Sequence, residues 1–266
     1  MSQLVLYLRI GVKSFQKHLA YRAANLAGIA TNTFFGAVYV LIYRALFEGG
    51  RTVNGYAVND AVTYAIIAQS LLMVMSAFGN RELSESIIRG QIVTDLSRPI
   101  NFYFYWAALD LGRAVYYLVF RGIPTYIIGI LLFRGYVPLD PRAWALFGVS
   151  VITGMCVSFT YRFIISSLAF WTMDVRGVMY LSNTFILFFA GFIVPIAFFP
   201  VPLRALAELL PFQGLSQVPI DVYLGKVAGP GLARVLGLQL VWIVVFGLAG
   251  HWLLGRMVRR LAINGG

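Results

Sequence analysis

The sequence predicts an all-α integral membrane protein: six transmembrane helices preceded by an amphipathic interfacial helix, with a short outer hairpin between spans five and six. Three observations carry this expectation. Of 266 residues, 60% are apolar and only 12% charged, and the mean hydropathy is +0.80, a balance that soluble domains do not show. Charge-free windows reach the roughly 18 residues that a ~30 Å hydrocarbon core demands of a helix. None of these windows alternates with period two, as a barrel wall facing lipid and lumen requires. The whole chain, 1–266, reads as a single transmembrane domain.

The first element is the stretch 1–19. Leu4, Leu8, Val12, Phe15 and Leu19 recur at helical spacing beside a basic stripe of Arg9, Lys13 and Lys17, the pattern of a helix lying on a membrane surface. The three cations interrupt the apolar run too early for a cleaved signal peptide, and no small-residue cleavage pattern accompanies it.

Spans follow at 23–43, 61–80, 177–203 and 235–255, each free of Asp, Glu, Lys and Arg. Two further windows, 114–133 and 143–173, each contain one arginine, Arg121 and Arg162. A single charge does not prevent insertion. With the amino terminus inside, eleven basic residues fall in cytosolic segments and seven outside. That bias, with an even number of spans, puts both termini in the cytosol, including the cluster Arg256, Arg259 and Arg260. Phe102 to Trp106, at the entry to the third span, fit an interfacial aromatic belt. Gly122 and Gly129 share one face of that span and are packing candidates.

Arg121 lies thirteen residues before Arg134, about 20 Å along a helix, and Arg162 twelve before Asp174, about 18 Å. Both then sit in the cytosolic half. An arginine at membrane depth costs roughly 2.5–3.5 kcal/mol on insertion scales, so it must meet protein, water or a lipid headgroup. Two readings remain open: a vestibule attracting an anionic or amphiphilic headgroup, or an ion pair, for example with Asp110, or snorkelling to phosphate.

The cytosolic loop 80–104 carries the densest charge of both signs. Ser84, Ile87, Ile88, Ile92 and Leu96 could share a helical side while Glu82, Glu85, Arg89, Asp95 and Arg98 offer charges, and Pro99 holds Arg98 extended. Such a segment suits docking on a soluble protein; the bland alternative is a solvated loop. Beyond the fifth span, Pro195, Pro200, Pro202 and Pro211 forbid a straight helix. A broken helix and an outer hairpin over 200–231 are expected, packed on the bundle because bare backbone is not tolerated in lipid.

Catalytic chemistry is not in evidence. No GxxxxGK[ST] phosphate loop or GxSxG elbow occurs, and no carboxylate pair falls within a span. The single cysteine, Cys156, and the separated His18 and His251 lack the spacing of metal ligands. A proton-coupled secondary transporter would need a midplane carboxylate, for which only Asp110 comes into question.

Two sets of residues carry a family resemblance. One runs from Ile87-Ile-Arg-Gly90 through Leu96-Ser-Arg-Pro99 to Asp110-Leu-Gly-Arg113. The other runs from Leu168-Ala-Phe-Trp171 through Gly191-Phe-Ile-Val-Pro195, Pro200, Leu210-Pro-Phe212 and Pro219 to Leu224-Gly225. Through them most of the chain resembles the membrane (permease) subunits of type-2 ATP-binding-cassette exporters, and within these the viologen-exporter-like group. The resemblance implies a coupling helix in the first cytosolic loop, resting in a groove of a separate ATPase, with Glu85, Arg89, Gly90, Asp95 and Arg98 as interface residues. It implies an outer gate at the proline hairpin and export of a hydrophobic or amphiphilic solute or lipid-like molecule. It also implies a bacterial plasma (inner) membrane location, with membrane lipids around the chain, and a second permease subunit, identical or homologous, with a heteromer favoured. ATP and magnesium would reside in the partner ABC ATPase subunits, with no cofactor in this chain and no nucleic acid. A membrane anchor or assembly module that merely recruits an ATPase is the alternative from another class.

Overall fold

The computed structural model describes residues 3–50, 52–78, 81–172 and 174–264, with side chains to Val258. The first two residues of the expected interfacial stretch, Asn80 at the start of the charged loop, and the Arg259 and Arg260 side chains lie outside the described residues. Among the described residues all regular structure is helical apart from one isolated bridge, Val53 to Tyr56.

Helix α1, Gln3–His18, lies along α6, Phe102–Tyr117. The two backbones come so close that a Cβ at Gly112 would overlap Gly11. Ser14 Oγ donates to the Leu109 carbonyl at 2.6 Å, and Phe15 packs edge-on against Tyr116. Leu4, Leu8 and Val12 remain exposed. Of the apolar stripe read from the sequence, Leu4, Leu8 and Val12 thus face away from the bundle while Phe15 turns inward onto α6.

Among the described residues, four helical stretches are long and apolar enough to cross a membrane: Arg22–Leu46, which is α2, Phe102–Phe133, Pro141–Thr172 and Gly229–Val258. The windows 61–80 and 177–203 do not form continuous helices, which corrects the expectation for those two elements. Helix α3, Val58–Leu71, stops after 14 residues and the chain turns through 72–78, with Ser76 in a left-handed conformation at φ 48°. All of Ala61–Leu71 is buried, so this window is apolar because it is the bundle's central post. The broken helix of the other window starts earlier than its prolines demand. Helix α10, Arg176–Phe189, ends ahead of Gly191, whose φ of 83° few side chains tolerate.

The long helix after the charged loop is α6, a π-helical turn at Leu118–Gly122, and α7, Ile123–Phe133. Pro124 explains the turn. It has no N–H to give the Phe120 carbonyl, and that carbonyl instead accepts Asn25 Nδ2 at 2.6 Å. Gly122 and Gly129 let α7 approach α3: a Cβ at Gly129 would crowd Ile66, and one at Gly122 the Ser70 carbonyl. Helix α8, Pro141–Ser167, starts at an Asp140 cap and continues into a short α9, Ala169–Thr172.

After α10 the chain forms a 3-10 turn at Ile196–Phe198, α11 at Val201–Leu209, a second 3-10 turn at Pro211–Leu215, and α12 at Gln217–Tyr223. Pro195, Pro200, Pro202 and Pro211 each stand at or close to the start of one of these pieces, where a missing N–H leaves no helical bond unmade. The last helix, α13, is Gly229–Asn264.

Candidate functional site

The charged loop folds as two short helices, α4 at Glu82–Ile88 and α5 at Ile92–Leu96, not as one. Gly90, at φ 71°, turns the chain between them in a conformation that a side chain would strain. Leu83, Ile87 and Ile92 point inward into a cluster with Phe102, Trp106, Phe159, Phe163 and Met257. Phe102 and Trp106 are therefore core residues, a correction to their reading as interfacial anchors. Ser84 is buried with them, whereas Ile88 is exposed.

Fixed by this apolar foot, the loop presents its charges outward. Arg89 meets Glu85 at 3.5 Å and Arg98 meets Asp95 at 3.4 Å, and the Arg98 guanidinium lies over the Tyr105 ring. The Arg89–Glu85 pair is solvent-facing and adds little stability, so its charges stay available to a partner; in the other pair Arg98 is exposed while Asp95 is largely covered. Lys17 of α1 reaches Glu82 at 2.7 Å, and this hydrogen bond raises the Lys17 pKa. Together α1, α4, α5 and the start of α6 border an open groove of about 600 Å³.

Behind the loop sits a buried ionic triad. Asp110 accepts Arg113 Nε at 3.0 Å and both terminal nitrogens of Arg162, at 3.0 and 2.8 Å. Arg113 also donates to the Met73 and Val74 carbonyls, at 3.0 and 3.4 Å. Both carbonyls lie in the turn that follows α3, where the Met73 carbonyl also accepts the Ser76 N–H at 3.2 Å. Ser158, which accepts from Arg162 at 3.1 Å, donates to the next one, Met75 O. The triad thus closes the broken end of α3 immediately before the chain enters the charged loop. Arg162 is held as an ion pair with Asp110, whereas Arg121 has no carboxylate partner among the described residues. Arg121 donates to Asn32 Oδ1 at 2.9 Å and lies against Gly28, where a methyl group would overlap its guanidinium. Asn32 in turn donates to the Gln69 carbonyl at 2.9 Å.

At the opposite end of the bundle, Gln217 ties the proline-rich segment after α10 together. Its backbone N–H donates to Ala190 O at 3.1 Å, and its Oε1 accepts Tyr64 Oη and the Ile196 N–H, both at 2.8 Å. Its Nε2 donates to Tyr56 Oη at 2.9 Å and to Asp221 at 3.0 Å. Tyr56 also donates to Asp221. Burial lifts the Asp221 carboxyl to about 6, although these donors and Arg204 pull it down. A cavity of about 370 Å³ opens beside this network.

The structure places Glu85, Arg89, Gly90, Asp95 and Arg98 together on the α4–α5 loop, with Asp95 largely covered, and Pro195, Pro200, Pro202 and Pro211 along the segment between α10 and α12. It does not bring Arg121 and Arg162 together. Sequence reasoning does not single out Lys17, Glu82, Arg113 and Gln217 as organising residues. Arg113 carries a signal, its i,i+3 spacing from Asp110; Gln217 carries none, because its partners come from distant segments. The described residues hold no group of three or more His, Cys, Asp or Glu side chains able to bind a metal. In comparison with known proteins, the family model described as ABC-2 family transporter protein matches residues 34–265. No curated protein matches the chain.

Proposed function

Because the chain belongs to the ABC-2 family of transporter proteins, a multi-pass membrane component that works with ABC ATPase subunits, we propose that it is the permease subunit of an ATP-driven exporter. Its cargo is a hydrophobic or amphiphilic solute or lipid-like molecule, and it falls in the viologen-exporter-like group. The observation that carries the reading is the α4–α5 loop, seated on the core by Leu83, Ile87 and Ile92 while Glu85, Arg89 and Arg98 face out and Asp95, largely covered, pairs with Arg98.

In this reading the six passes are the four long helices, α3 with its following turn, and α10 with the proline segment. Both termini lie in the cytosol and the membrane is the bacterial inner membrane. The loop then faces the cytosol, where the ATPase holds ATP and magnesium. Force applied to α4 reaches α3 through the short turn that the Asp110 triad closes, and reaches α6 directly through α5. Gln217 and the prolines hold the outer gate. A second permease subunit, identical or homologous with a heteromer slightly favoured, completes the pathway.

The test is Arg89→Glu combined with Asp95→Arg in the lipid-reconstituted complex. Transport and permease-stimulated ATP hydrolysis should fall while membrane insertion is kept. Unchanged stimulation would remove this loop from the interface. Substrate-stimulated hydrolysis separates a permease from a passive ATPase anchor.

A further inference from the structure

Six buried side-chain polar atoms lack a hydrogen-bond partner among the described residues, and four fall on one seam: Asn25 Oδ1, Thr33 Oγ1, Arg121 Nε and Thr125 Oγ1. Asn25 and Thr33 stand on α2. Facing them, Arg121 belongs to the π-helical turn and Thr125 to α7.

In a bilayer no bulk water satisfies such atoms, and an orphaned polar group in hydrocarbon is costly. The donors among them, Arg121 Nε above all, mark a place that an outside acceptor completes, whereas Asn25 Oδ1, itself an acceptor, gains nothing from an anion. Three further observations say what. Arg121 has no ion pair among the described residues, unlike Arg113 and Arg162, which share Asp110, so the seam holds an uncompensated cation. The planar guanidinium fork can donate to two oxygens of a phosphate or carboxylate at once. The cavity of about 10 Å³ beside Asn32, Thr33 and Thr125 is not lined by Arg121 and has room for about one water and no more, so a head group meets the arginine from outside the seam and not through that cavity. Finally, Val119, Phe120 and Ile123 around Arg121 are exposed on the outside of the bundle, so a ligand's apolar chain can lie there while its head reaches the arginine.

We propose that the α2–π-turn seam is a binding site for the phosphate or carboxylate head of an anionic amphiphile, with Arg121 as its cation. The Asn25 bond to the Phe120 carbonyl, freed by Pro124, holds the turn that presents the arginine. The inference rests on the permease reading for the site's cytosolic-half position, but not for its chemistry.

The test uses the full chain in phosphatidylcholine nanodiscs, with radiolabelled dodecyl phosphate and dodecyltrimethylammonium as probes. The native protein should bind the phosphate at least about tenfold more tightly, the worth of one charge-assisted hydrogen bond. Arg121→Gln should abolish that preference and Arg121→Lys keep part of it. Gly28→Ala, which displaces the guanidinium without removing charge, should weaken phosphate binding, and it decides the matter if Arg121→Gln does not fold. Equal preference in native, Arg121→Gln and Gly28→Ala proteins would overturn the site. Two sources of the anion are separable. A resident lipid is indicated if phosphatidylglycerol displaces the probe and the probe leaves ATP hydrolysis by the complex unchanged. A transported amphiphile is indicated if the probe stimulates hydrolysis. A complex without any hydrolysis would defeat the permease reading while leaving the binding preference of the chain intact.

Discussion

Replacing Asp110 with asparagine removes the one negative charge shared by two buried arginines. Asp110 accepts three hydrogen bonds at 2.8–3.0 Å, and all three residues are buried. Asparagine keeps the shape, yet it leaves two guanidinium groups without a counter-charge. Breaking a buried pair in this way costs about 3–5 kcal/mol. At roughly 2–4 °C per kcal/mol for a chain of this size, melting should fall by about 6–20 °C. The double variant Asp110→Asn with Arg162→Gln restores part of the loss, because one stranded cation goes with the anion, and a double-mutant cycle should give a coupling of at least about 1.5 kcal/mol. The assay is thermal unfolding of detergent-purified protein, with membrane-inserted yield as a second readout. A fall in melting of less than about 2 °C in Asp110→Asn, together with additive single effects, would refute the triad as the closure of α3.

Three further outcomes follow from the geometry. Gln217→Leu strands the Ile196 N–H and takes one hydrogen bond each from Tyr56 and Tyr64, which keep Asp221 and the Gly191 carbonyl as partners, so it should cost roughly 1–3 kcal/mol and speed hydrogen exchange over 190–200 selectively; uniform exchange would contradict the hub. Burial raises the Asp221 pKa from 3.8 to about 6, so the folded state holds this proton more tightly than the unfolded state. Stability should therefore fall as pH rises from about 4 to 6 and then level off, and Asp221→Asn should flatten that slope in melting curves. Because Lys17 and Glu82 are exposed, Lys17→Gln should change stability by less than about 1 kcal/mol; a larger loss of melting temperature would give that pair a structural weight the geometry denies it.

Much of the fold was legible because composition and window length speak directly to the bilayer. Windows 23–43 and 235–255 lie wholly within long helices, since nothing in them interrupts the ladder. The windows 61–80 and 177–203 misled because hydropathy cannot tell a lipid-facing helix from a buried one. α3 is apolar as the core, and its end depends on Arg113 and Ser158 from other helices. The charged loop was legible as a polar island between spans, but its division at Gly90 rests on a backbone conformation that composition does not reveal. The proline segment announced its breaks; the glutamine that gathers them did not. Likewise Arg121 was visible as a charge at depth, while its missing partner became apparent only with the helices in place.

The central claim, that the α4–α5 loop seats a separate ATPase, is tested most directly by crosslinking from Glu85→Cys in a Cys156→Ala background, Cys156 being the chain's single cysteine. A short bismaleimide applied to native membranes should join position 85 to a nucleotide-hydrolysing polypeptide, with a yield that changes when ATP is added, while Val201→Cys in the outer hairpin yields no such adduct. Absence of any ATPase adduct from position 85, in membranes where the chain is inserted and abundant, would contradict the account.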